Sequence, residues 1–210
     1  MNGGQLAGGN STSKKADNDF YTTNPKTVEF FLERFVSDKN ELKGEIWECA
    51  CRTGNISEVL RKKFPNCKII STDLVDRGYG IGNCDFLQCG EKADAIITNP
   101  PFSLINDFIK KGLELSRRYL IFLAKIQTLE TASRKELLEK SPLRYIYVHS
   151  ARQATWKNNC SKDEKGKQWA TTMCLAWFVW DMNYNGDPAI KVLDMQRYIL
   201  KKSDRKGEVK

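Results

Sequence analysis

The sequence predicts an α/β fold built on a Rossmann-like, mostly parallel sheet, and three observations carry that prediction. Glu45 to Cys51 reads as a strand that runs through the turn Arg52-Thr53-Gly54-Asn55 into a helix, Ile56 to Phe64, the opening unit of such a sheet. A second strand, Lys68 to Thr72, closes on Asp73, an acid about twenty residues beyond the glycine turn, where dinucleotide-type folds place one. The apolar run Ala93 to Thr98 then reads as a buried strand stopped by Asn99-Pro100-Pro101-Phe102, because neither proline can continue it.

Composition narrows the class. A chain of 210 residues, 40% hydrophobic and 29% charged, suits one soluble globular domain with one sizeable core. No apolar run approaches the length of a membrane span, so no membrane partner is expected. Residues 1–18 are rich in Gly, Ser and Asn and lack an apolar stretch, so they read as a disordered leader rather than a signal peptide. Residues 19–195 form the single domain, and 196–210 a basic, frayed tail. Seven cysteines, an odd number, argue for reduced thiols in a cytoplasmic compartment rather than a disulfide framework. Cys49-x-Cys51 and Cys84-x4-Cys89 lack the paired spacing and histidines of a zinc site, so no metal is expected. The one histidine, His149, has no serine or thiol nucleophile motif beside it and reads as structural. A net charge of +8 and a pI near 9.1 are compatible with a polyanionic partner, and a solvated lysine-rich surface gives the same number.

In chain order, Asp19 to Thr27 is a turn feeding a helix from Lys26 to Val36, with Val28, Phe31, Leu32 and Phe35 on one face. Tyr21-Thr22-Thr23 offers hydroxyls and N–H groups that suit a carboxylate, or serves simply as a capped helix entry. At the first sheet strand, Ala50 and Gly54 are small enough for a ligand to approach, with Glu48 and the helix N-terminus as polar neighbours. A NAD enzyme would show the fuller G-x-G-x-x-G turn, whereas only Gly54 is present. Asp73 suits a ribose hydroxyl pair. After the turn Asp76 to Gly80 comes a short third strand around Cys84 to Leu87, where Asp85-Phe86 suits an adenine ring, carboxylate to amino group and ring to face.

Asn99 and the Pro100 carbonyl place two acceptors where an exocyclic amino group has two hydrogens to give, and Phe102 offers a flat stacking surface. Ser103 reads as the N-cap of a helix to Ser116 that buries Leu104, Ile105, Phe108, Ile109 and Leu113. A strand at Tyr119 to Ile126, a charged helix at Thr131 to Lys140 and a strand at Leu143 to His149 follow. Arg152 to Gln168 is a long basic loop with Trp156 and Lys157, suited to phosphate contact and base stacking or else a solvated connection. Thr171 to Asp181 is a long apolar strand, and Asn183 to Pro188 turns it into a last strand, Ala189 to Leu193.

Taken together, Tyr21-Thr22-Thr23, Glu48-x-Ala50-Cys51-x-x-Gly54, Asp73, Asp85-Phe86 and Asn99-Pro100-Pro101-Phe102 resemble the amino-group adenine methyltransferases that use S-adenosylmethionine. The runs Trp47 to Cys51, Ser71 to Gly80, Ile97 to Ser103 and Ala176 to Trp180 are most similar to small phage-type DNA adenine-N6 enzymes, over roughly residues 19 to 193. The resemblance implies a class I methyltransferase sheet of seven strands with an antiparallel C-terminal hairpin. It implies that Glu48, Ala50, Cys51, Gly54 and Asn55 hold the cofactor's methionine part, Asp73 with Leu74 its ribose side, Asp85 and Phe86 its adenine, and Tyr21, Thr22 and Thr23 its carboxylate. Asn99, Pro100, Pro101 and Phe102 become the catalytic set, with Asn99 also near the cofactor, and Phe102, Arg152, Trp156 and Lys157 the target contacts. DNA is the implied partner, with RNA possible, inside a bacterial or phage-infected cell. An RNA adenine methyltransferase, a protein-glutamine methyltransferase and an inactive nucleic-acid-binding homologue are the alternatives. The last draws on Arg52, which stands where the family has glycine and must either point outward or crowd the site.

Overall fold

The computed structural model describes residues 21–130, 132–150, 156–157 and 173–194, with backbone only at 21, 133, 156 and 157. In order the elements are β1 (Tyr21–Thr22), α1 (Pro25–Ser37), β2 (Glu45–Glu48), α2 (Asn55–Lys63), β3 (Lys68–Ser71), β4 (Ala93–Thr98) and α3 (Ile105–Leu115). Then come β5 (Ser116–Lys125), α4 (Ala132–Glu139), β6 (Leu143–His149), β7 (Trp156–Lys157), β8 (Leu175–Asp181) and β9 (Ala189–Leu193). Seven strands make one sheet in the order β3-β2-β4-β5-β8-β6-β9, and β1 pairs with β7 in a separate two-stranded ribbon.

Within that sheet only β8 runs against its neighbours, antiparallel to both β5 and β6, while β9 adds to β6 in parallel at the edge. The sheet is therefore mostly parallel with an antiparallel β6/β8 hairpin, as the resemblance implies, and the turn at 183–188 joins β8 to β9 without pairing them. β8 is buried along its whole length, so its apolar run is continuous rather than alternating. Trp177 and Val179 face the layer of α1 and α2, where Phe31, Phe35 and Leu60 lie, and Phe178 and Trp180 face the layer of α3 with Phe108 and Ile109. Helix α1 begins as its chemistry dictates: the Asn24 side chain accepts from Lys26 N at 3.0 Å and Pro25 occupies the first turn.

Two expected elements differ. Cys84 to Leu87 is not a strand: the chain makes a single parallel bridge, Thr72 to Ile81, and then a 3-10 turn at Phe86–Gln88. The cause is local, since the Asp85 carboxylate accepts from Leu87 N at 3.0 Å and so competes with sheet pairing. The seventh strand is β9 instead. Ser103 is not a helix cap either. Pro101 leads into a 3-10 turn, Phe102–Leu104, in which Leu104 N bonds Pro101 O at 3.0 Å, and α3 starts without a side-chain cap. The leader, the tail and Arg152 lie outside the described residues. Among the described residues no helix is long and apolar enough to cross a membrane.

Candidate functional site

The chain moves from β2 outward to β3 and then back across to β4 on the other side. Where strand order reverses in this way, the carboxyl ends diverge and leave a crevice. Glu48 ends β2, Asp73 lies two residues past β3 and Asn99 one past β4, so three of the predicted polar side chains meet at this rim. Along β4, Ala95 and Ile97 face the α1/α2 layer, and Asn99 continues that alternation. Its amide is 3% exposed, and Nδ2 donates to Thr23 Oγ1 at 3.1 Å.

A narrow cleft of about 10 Å³ joins Thr22, Thr23, Glu48, Cys51, Arg52 and Asn99, with Ala50 and Asn55 also on its wall. That is room for about one water. Two larger hollows, about 380 and 510 Å³, share the Glu41 to Gly44 segment that precedes β2, at the opposite end of the strands. They gather none of the predicted side chains, so chemistry rather than volume selects the rim cleft.

The glycine turn explains the tightness. Gly54 takes φ 80°, and a Cβ there would collide with the Tyr79 ring, so only glycine fits. Tyr79 is held over the turn by its hydroxyl, which donates to Glu58 at 2.7 Å and accepts from Arg61 at 2.6 Å. Arg52 adopts a left-handed φ of 52° and is 9% exposed, so it crowds the cleft rather than pointing outward. Its N–H donates to Asp73 Oδ2 at 2.8 Å, which fixes that backbone angle.

Asp73 is already engaged by its own chain. Besides Arg52 N, Oδ1 accepts from Val75 N and from the Arg77 guanidinium, both at 2.9 Å. Leu74 and Ile81, 61% and 63% exposed, present apolar surface next to it. Phe86 does not reach this surface. Its ring is buried in the α3 layer against Trp47 and Phe108, at centroid distances of 5.2 and 5.0 Å, so the expected stacking of Phe86 on a ligand ring is corrected to a core role. Asp85 caps its own turn.

Glu48 is fully buried, and burial pushes its carboxyl from the ordinary 4.5 up to about 8, against the pull of Ser57 and Arg52. Ser57 N donates to Oε2 at 2.7 Å, the Ser57 hydroxyl bonds the same oxygen, and that hydroxyl lies 2.6 Å from Ser71 Oγ. An unfolded carboxyl ionises near 4.5 while this one holds its proton towards 8, so its contribution to stability is full below about 4.5 and is lost as pH rises to about 8. The unfolding free energy from denaturant titrations at pH 5 to 8 should thus fall in the wild type with a slope of at most about 1.4 kcal/mol per pH unit from this group, and Glu48→Gln should remove that slope.

Burial holds the cleft thiol and its neighbour near Asp85 protonated, pushing Cys51 up to about 12 and Cys89 up to about 11. Among the described residues no cluster fit for a metal occurs. His149 is half-buried at the end of β6, with both ring nitrogens covered and without a hydrogen-bond partner among the described residues, and desolvation lowers the ring to about 4.

The β1–β7 ribbon brings Tyr21 opposite Lys157 and Thr22 opposite Trp156, so part of the predicted target loop lies beside the N-terminal segment. Phe102 is half-buried, and Lys125 Nζ sits 4.8 Å from its ring centroid. Sequence reasoning did not single out Lys125, Tyr79 or Arg77. Arg77 carries a faint signal, four residues after Asp73; Lys125 is brought to Phe102 only by the pairing of β4 with β5.

No family model and no curated protein matches the sequence. Solved structures do share the fold. A Pyrococcus horikoshii protein assigned as an RNA methyltransferase aligns with TM-score 0.58 and 12% identity over 81% of this chain and 90% of its own. The methyltransferase subunit of a type I restriction-modification system from Streptococcus thermophilus gives 0.57 and 12% over 85% of this chain and 47% of its own. A SAM-dependent O-methyltransferase from Thermotoga maritima gives 0.50 and 15% over 80% and 69%. At these identities the likeness is one of architecture: the chain has the Rossmann-like sheet of the methyltransferase fold.

Proposed function

We propose that the domain at residues 19–195 transfers a methyl group from S-adenosylmethionine to the exocyclic N6 of adenine in DNA. The observation that carries this reading is the Asn99 amide, buried at the strand-order reversal in one cleft with Glu48 and the glycine turn. The bound cofactor would supply an electrophilic sulfonium methyl group. Carboxyl groups at the ends of adjacent parallel strands (Glu48, which holds its proton, and Asp73), a glycine turn and exposed Leu74 and Ile81 suit its polar and purine parts. The donor set fits, but a cleft of about 10 Å³ must widen, and Arg77 must release Asp73, before the group can enter.

The chain's own side chains then do the following. Asn99 Oδ1 and the Pro100 carbonyl accept the two amino hydrogens and draw the nitrogen towards tetrahedral geometry. The lone pair so freed would take the methyl group that a bound cofactor would supply, the carbon–sulfur electron pair remaining with sulfur. The amino proton leaves for solvent after positive charge has developed, so no strong base is required, and positioning supplies most of the acceleration. A duplex target must extrude the base at a cost of a few kcal/mol, with Phe102 as the stacking surface. Arg152, Trp156 and Lys157 contact the flanking backbone, consistent with a net charge of +8. DNA is favoured over RNA by the sequence resemblance alone.

Methyl transfer to DNA, RNA and protein substrates in parallel, using labelled cofactor, tests the reading; label appearing only in protein, or nowhere, overturns it. Asp73→Ala should weaken cofactor binding about tenfold by calorimetry, the scale of one lost charged hydrogen bond. Unchanged binding removes Asp73 from the ribose site. A second reading, a nucleic-acid-binding homologue that does not load cofactor, is favoured by Arg52 in the cleft; Arg52→Gly then restores cofactor binding that the wild type lacks.

A further inference from the structure

The bond from Asn99 Nδ2 to Thr23 Oγ1 joins groups 76 residues apart, both buried, with Thr23 5% exposed in the link between β1 and α1. Thr23 is itself held. Asn55, the first residue of α2, donates from Nδ2 to the Thr23 carbonyl at 2.9 Å, and the Thr53 hydroxyl lies 3.2 Å from Asn55 Oδ1. A chain of polar contacts therefore runs from the glycine turn through Asn55 and Thr23 to the rim amide.

We propose that Thr23 is a positioning residue that holds the nitrogen end of the Asn99 amide, so that the oxygen end is the one offered to the target. This inference rests on the base-methylating reading above. A side-chain amide turned by half a revolution has nearly the same shape but the opposite chemistry. With Oδ1 towards the cleft it accepts an amino group; with Nδ2 there it repels one. A hydroxyl can accept from nitrogen or donate to oxygen; here the Thr23 hydroxyl accepts from Nδ2 at 3.1 Å, and that bond holds the amide in the orientation in which Oδ1 is the acceptor. The role differs from the one the sequence resemblance implies, in which Thr23 meets the cofactor's carboxylate. Because Asn55 holds Thr23 from the first turn of α2, the glycine turn and the amide are set by one segment.

Thr23→Val keeps the shape and removes the acceptor, and Thr23→Ser restores it. On full-length protein labelled with 15N-asparagine, the Asn99 side-chain NH2, identified by its absence in Asn99→Asp, should shift and exchange faster with water in Thr23→Val and return in Thr23→Ser. Thr23→Val should lower kcat about tenfold or more, the scale of one mis-set polar group, with cofactor Kd by calorimetry changed less than about twofold. Thr23→Ser should recover most of kcat. An unchanged or raised kcat in Thr23→Val overturns the proposal, as does a loss of cofactor affinity that accounts for the loss of activity. Should the wild type methylate nothing, the base-methylating reading fails by itself, and unchanged Asn99 resonances in Thr23→Val still overturn the placement of Thr23.

Discussion

Asn99→Ala should lower methyl transfer to adenine by about 10²–10³-fold or more, the loss seen when one preorganised polar group is removed from a reacting centre. Labelled-methyl transfer to duplex DNA measures it, with cofactor binding followed separately. The loss belongs mainly in kcat, because the amide acts on the amino group as it becomes tetrahedral and hardly on the ground state. Folding should change little. The bond to Thr23 is worth about 1 kcal/mol, and thermal unfolding tells inactivity from collapse. Activity within about threefold of wild type would mean that another group accepts the amino hydrogens, since removing a real acceptor costs far more. Asn99→Asp sharpens the result, because it keeps an acceptor at the rim and leaves Thr23 without the amide N–H.

The largest stability effect is expected at Trp177→Ala, a loss of about 3–5 kcal/mol by urea unfolding. Trp177 is fully buried on β8, its ring stacked on Phe31 with centroids 4.4 Å apart and planes at 12°. Phe31 in turn meets Tyr147 edge-on at 5.4 Å, so one truncation loosens α1, β6 and β8 together. A fall in Tm of roughly 10 °C or more corresponds to that free energy for a domain of this size. Trp177→Phe is the informative control. The indole N–H has no hydrogen-bond partner among the described residues, so phenylalanine keeps much of the packing and removes an unsatisfied donor. It should lose less than half of what alanine loses. Ile190→Ala on the edge strand, 68% exposed, should stay within about 0.5 kcal/mol.

Periodicity made much of this architecture legible. Val28, Phe31, Leu32 and Phe35 recur at helical spacing and all are buried on α1, and the apolar runs at β4 and β8 are the central strands they resemble. What escaped was decided by competition or by distance. Asp85 uses its carboxylate on a neighbouring N–H, and Pro101 ties Leu104 into a tight turn; in both places a local bond displaced the expected pattern. Phe86 shows the limit of reading an aromatic by its neighbour, because its ring turns into the core while Asp85 stays at the surface. The site was readable as residue types, Glu48, Asp73 and Asn99, each at a strand end. Their long-range partners were not: Thr23 on Asn99 and the left-handed Arg52 held by Asp73 depend on loops meeting in space. No spacing along the chain encodes such meetings.

The place of β8 between β5 and β6 bears on synthesis. Translation delivers residues in order, so β5 and β6 leave the ribosome long before residues 175–181 that must slot between them. Until then both present bare backbone edges and greasy faces to solvent, an invitation to stick to neighbours. Nascent chains halted before residue 175 should therefore recruit chaperones and precipitate, whereas chains extended past residue 181 should shed that dependence abruptly.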